Sequence, residues 1–110
     1  MGFNITEVTS AASPLRWVEQ SSSGPIDTVF KGTFADASSG MLVIELPDEP
    51  ANGFCRTIQK VDESANPVRI TLPANSVSSI LDDGTYIDIN LKLAQITLTY
   101  SESAGTYRVT

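Results

Sequence analysis

From Thr28 onward, apolar and polar residues alternate in short runs separated by turn residues. In MLVIELP, Leu42, Ile44 and Leu46 fall on one side and Met41, Val43 and Glu45 on the other. The spacing predicts a strand buried on most of both faces. VRITLP directs Val68, Ile70 and Leu72 inward, with Arg69 and Thr71 outward. TYIDINLKL places Ile87, Ile89, Leu91 and Leu93 inside, and QITLTY repeats the pattern with Ile96, Leu98 and Tyr100. FCRTIQKV sets Cys55, Thr57, Gln59 and Val61 against Phe54, Arg56, Ile58 and Lys60. Between these runs lie PDEPANG, whose prolines cannot continue a ladder, DESANP, of hairpin length, and the Asp82-Asp83-Gly84 turn. ANSVSSILDDG reads as a longer crossover in which Val77, Ile80 and Leu81 tuck onto the core. No window carries a sustained period of 3.6 residues. The pattern predicts an all-β fold, an antiparallel β-sandwich or small barrel of about seven to nine short strands.

Residues 1–27 read differently. FNITEVTS carries Phe3, Ile5 and Val8, but the alternation breaks between Ile5 and Val8. PLRWVEQ follows with Leu15 and Trp17, then the loop-like SSSGP. We read 1–27 as an N-terminal arm or first hairpin that docks on its own sandwich or on a neighbour, and 28–110 as the sandwich domain. Phe3, Ile5, Leu15 and Trp17 are its candidate partner-docking residues, apolar anchors within a polar segment.

The chain has 110 residues, enough for one domain with a modest core, and a net charge of −6. That charge disfavours phosphate backbones and anionic membrane surfaces, so neither nucleic acid nor membrane is an expected partner. No apolar run reaches the roughly 20 residues of a membrane span, and the first residues lack the layout of a signal peptide. The single cysteine, Cys55, sits in a strand-like run and is expected to be a buried free thiol, consistent with assembly in a reducing cytoplasm.

With no histidine and one cysteine, Ser-His-Asp and Cys-His machinery and the usual zinc sites are excluded. No glycine-rich loop opens a helix to cradle a phosphate. Three acidic pairs, Asp48-Glu49, Asp62-Glu63 and Asp82-Asp83, would suit a calcium site or a glycosidase pair, but lack EF-hand spacing and read as solvated turns. Trp17, Tyr86, Tyr100 and Tyr107, with Phe30 and Phe34, would suit a sugar-binding platform; the competing reading makes Trp17 a packing anchor and puts Tyr100 and Tyr107 at inward or edge positions. Asn4-Ile5-Thr6 matches a glycosylation acceptor only by chance composition. No catalytic residue, cofactor or metal is expected.

Residues 57–109 contain a recurring order of motifs: Lys60, Asp62, Ser64, Ala65, Asn66, Val68 and Ile70, then Asp83-Gly84, Tyr86, Ile96 and Leu98, and finally Tyr107 and Val109. This half of the chain resembles a β-rich module of tailed-bacteriophage virion proteins, found in tail-fibre and capsid-surface proteins. The chain departs from it at Tyr107, where the module often carries Trp. The resemblance implies a non-enzymatic structural protein of a phage particle. Its foremost reading is a capsid decoration (cement) protein, a homotrimer bound to the major capsid protein on the virion's capsid surface after synthesis in the host cytoplasm. Alternatives are a tail, baseplate or fibre-adaptor subunit, or a carbohydrate- or receptor-binding β-sandwich module.

Overall fold

A computed structural model describes residues 16–110, and among them every regular element is a strand. Ten occur: β1 (Trp17–Gln20), β2 (Gly24–Pro25), β3 (Gly32–Ala35), β4 (Leu42–Glu45), β5 (Cys55–Lys60), β6 (Val68–Thr71), β7 (Ser79–Ile80), β8 (Tyr86–Ile89), β9 (Gln95–Ser101) and β10 (Thr106–Val109). They form a six-stranded sheet, β1-β3-β5-β9-β10-β7, and a four-stranded sheet, β2-β4-β6-β8. Phe3, Ile5 and Leu15, expected from the sequence to dock on a partner, lie outside the described residues.

The chain changes sheet at every step from β1 to β9. Odd strands β1, β3 and β5 stack in parallel in the larger sheet, and even strands β2, β4 and β6 do so in the smaller one. Parallel neighbours need a long return path between them, usually a helix. Here each return path is a strand of the opposite sheet. Antiparallel pairing enters late: β8 adds to β6, β9 to β5, and β10 folds back on β9. β7 closes the larger sheet in parallel with β10.

These pairings correct the sequence-based expectation twice. The sheets are mixed rather than antiparallel, and the described residues hold ten strands, of which β2 and β7 are only two residues long. The sheets are open, with separate edges, and stack in a sandwich-like way around one core. DESANP is not a hairpin turn but a crossing from β5 to β6. β1 and β2, within the stretch read as an arm or hairpin, do not pair with each other: each is the first strand of a different sheet.

Alternation decides which side chains meet between the sheets. Leu42, Ile44, Val68, Ile70 and Ile89 come from the smaller sheet, and Ala35, Ile58, Leu98, Tyr100 and Tyr107 from the larger. Ile44, Ile58 and Ile70 are fully buried, each contributing about 1.5–3 kcal/mol of transfer free energy. Met41 and Val43, on the other side of β4, are respectively exposed and half-buried, so this strand is covered on one face. Tyr107 tilts against Tyr100 at 5.1 Å between ring centres, meets the edge of Phe54, and donates its hydroxyl to the carbonyl of Pro47 at 2.6 Å.

Four expected core residues are outside it. Leu91 and Leu93 are exposed because β8 ends at Ile89, after which the chain swings across to the other sheet, with Leu93 at a positive φ of 67°. Val77 and Leu81 are exposed as well, whereas Ile80, from the same crossover, is fully buried.

Candidate functional site

β5 runs through the larger sheet with Arg56, Ile58 and Lys60 on its inner side, a hydrophobic residue between two cations. Both cations are buried. Each is satisfied by a loop that carries the chain between sheets.

Lys60 has no solvent exposure. Its Nζ donates to Asp62 Oδ2 at 2.8 Å and lies 3.5 Å from Ser64 Oγ. Asp62 Oδ2 also accepts from the backbone N–H of Ser64 at 3.1 Å and from the Ser64 hydroxyl, and Oδ1 accepts from the N–H of Ala37 at 2.8 Å. Asn66 Nδ2 then donates to the carbonyl of Ala37 at 2.9 Å. The Lys60, Asp62, Ser64, Asn66 motif is therefore a knot that ties the β5–β6 crossing to the β3–β4 loop. Burial alone would raise the Asp62 pKa, but the Lys60 ammonium, the Ser64 hydroxyl and the two backbone N–H groups outweigh it and hold the carboxyl well below the usual range. A buried charge is tolerated only with such a complete set of partners.

At the other end of β5, Arg56 donates from Nε to the carbonyl of Asp27 at 3.1 Å and from a terminal nitrogen to that of Thr28 at 2.9 Å. Its guanidinium stacks 4.0 Å over the ring of Phe54. Asp27 accepts from the N–H groups of Val29 and Phe30, both at 2.7 Å, which curls this loop and lowers its own pKa. The Arg56 and Lys60 clusters thus anchor opposite ends of β5.

Four of the six residues in the acidic pairs have side-chain partners. Asp48 Oδ1 accepts from the N–H of Ser78 at 2.9 Å, joining the loop after β4 to the one before β7. Asp62 belongs to the Lys60 knot. Glu63 pairs with Lys92 at 2.7 Å and Asp82 with Arg108 at 3.0 Å, both on the surface. Among the described residues, no three potential metal ligands converge.

The aromatic residues do not share a surface. Tyr100 and Tyr107 are in the core. Tyr86 lies on the outer face of the smaller sheet beneath Arg69, 3.9 Å from ring centre to guanidinium, and Arg69 grips Asp88 through two nitrogens. Trp17 lies on the outer face of the larger sheet, stacked on Phe34 at 4.3 Å with 9° between ring planes. Its indole covers Gly32, where an added Cβ would come within 2.5 Å of the ring. Trp17 is thus held by its own sheet. Cys55, expected in the core, is instead half-buried on that outer face beside Thr99.

Next to the Trp17–Phe34 stack is a shallow groove of about 370 Å³, lined by Glu19, Phe34, Asp36, Gln59, Val61 and Leu93. No single run of residues points to it, because β1, β3, β5 and the loop before β9 contribute to it from four separate stretches. No protein-family profile matches this sequence, and no curated protein matches it.

Proposed function

We propose that this chain is a non-enzymatic structural component of a tailed-phage particle, acting as a capsid decoration protein that stabilises the shell through contact area. One observation carries the reading. The residues that resemble the virion module, Lys60, Asp62, Ser64 and Asn66, form a clamp around the buried Lys60 that ties together two crossings between the sheets. On this reading, the residues of the resemblance serve to make a rigid scaffold. A protein that binds only the assembled shell stabilises it by mass action, without chemistry.

Attachment to the major capsid protein and a homotrimeric state belong to the same proposal, as does a docking role for Phe3, Ile5 and Leu15. Trp17 enters it only through the outer face it shares with Phe34. A tail, baseplate or fibre-adaptor role is the second reading. It would use the open edges at β1 and β2, each the first strand of its sheet, to which a neighbouring subunit's strand could add. Quantitative mass spectrometry and immunogold labelling of purified particles test the assignment. Hundreds of copies spread over the shell support decoration. A few copies confined to the tail would replace it with the second reading, and absence from particles would overturn both.

A further inference from the structure

We infer that the groove beside the Trp17–Phe34 stack is a docking site for an arginine flanked by apolar residues on an extended segment of a partner protein. The inference concerns this surface alone and does not depend on the particle assignment.

The floor is apolar: Phe34, Val61 and Leu93, the last exposed at 59%. Gln59 Nε2 donates to the carbonyl of Leu93 at 3.1 Å and fixes the floor's edge. Glu19 and Asp36 stand on its wall. The nearby cations are engaged elsewhere, Lys60 inside with Asp62 and Lys92 with Glu63. Among the described residues, no basic side chain pairs with Glu19 or Asp36; Asp36 accepts only the N–H of Ser38, at 2.9 Å. Two uncompensated carboxylates beside an aromatic and aliphatic floor complement a cation carrying its own apolar surface. Arginine fits better than lysine, because its flat guanidinium stacks on a ring while its edge meets carboxylates. The same pairing recurs within this protein, with Arg69 over Tyr86 and bound to Asp88.

The test is titration of the isotopically labelled full chain with acetyl-Leu-Arg-Val-amide, followed by NMR. Expected are saturable shifts at the amides of Phe34, Gln59, Val61 and Leu93 and at the Trp17 indole. The Glu19→Gln/Asp36→Asn variant should weaken binding by about fivefold, the scale of exposed ion pairs, and added salt should do the same. Equal binding of the citrulline analogue, shifts centred elsewhere, or no response to the double variant would overturn the inference. So would contacts from residues 1–15 to Leu93 in the free protein, or a dimer abolished by the double variant, since either gives the groove another occupant.

Discussion

Replacing Asp62 with asparagine removes one charge and almost no volume, yet the geometry predicts a large loss of stability. Oδ1 can still accept from the N–H of Ala37. The amide nitrogen then takes the place of Oδ2, facing three donors: Lys60 Nζ, the Ser64 N–H and the Ser64 hydroxyl. Lys60, with no solvent exposure, is left without its counter-ion. Removing one partner of a buried pair costs about 3–5 kcal/mol, a large share of the roughly 5–15 kcal/mol that holds a domain folded. Urea unfolding reads this directly: with a slope of about 2 kcal/mol per molar, the midpoint should fall by about 2 M. The sharper test is the Lys60→Met/Asp62→Asn double variant. Methionine removes the stranded cation, so the double variant should be more stable than Asp62→Asn alone, a non-additivity that only coupled residues show. A loss below about 1 kcal/mol for Asp62→Asn, within the range of an exposed pair, or no rescue by Lys60→Met, would refute the account of the knot.

Two further outcomes follow from the same structure. Asp27, Asp48, Asp62 and Asp88 all have pKa values below the usual carboxylate range, so below about pH 5 the unfolded chain binds protons that the folded one does not. Their stabilisation is complete above that pH and is lost as the pH falls through the ordinary carboxylate range and below it; the urea midpoint measured down to about pH 2 should decline accordingly, and less steeply in Asp62→Asn. Thr33 Oγ1 is buried without a hydrogen-bond partner, so Thr33→Val, which keeps the shape, should raise thermal stability by about 1 kcal/mol; a fall in melting temperature would show that the hydroxyl has a partner.

Much of the burial pattern was legible because the side-chain period of a strand is local. Leu42, Ile44 and Leu46, then Val68 and Ile70, then Leu98 and Tyr100, are inward as their spacing requires. Pairing was not legible. Nothing in a strand's own residues says that its neighbour lies two elements away, so DESANP read as a hairpin and the sheets as antiparallel. On β5 the burial expected of Cys55 is not met: the inner side carries Arg56 and Lys60, tolerated because distant loops supply carbonyls and a carboxylate, while Cys55 faces outward. Gly84 shows the same gap on a smaller scale. Its turn was foreseen, but it is Leu81 and Asp82 that take positive φ; Gly84 is required because an added Cβ would lie 2.7 Å from the carbonyl oxygen of Ile80. The groove was the least visible of all, since its walls meet only once the sheet is assembled.

The shuttling of the chain between layers has a kinetic consequence. Of the strand pairs among the described residues, only β9 with β10 joins consecutive elements, and β9 lies between β10 and β5 in the larger sheet. Early-made strands have no local partner with which to zip, whereas a hairpin closes in about 1–10 μs. Sequence-distant contacts slow folding, so the nascent polypeptide must wait for its late hairpin to be synthesised before that hairpin can template the rest. Damage to the Ser101–Thr106 turn should therefore slow acquisition of the native state more than damage to any earlier bend.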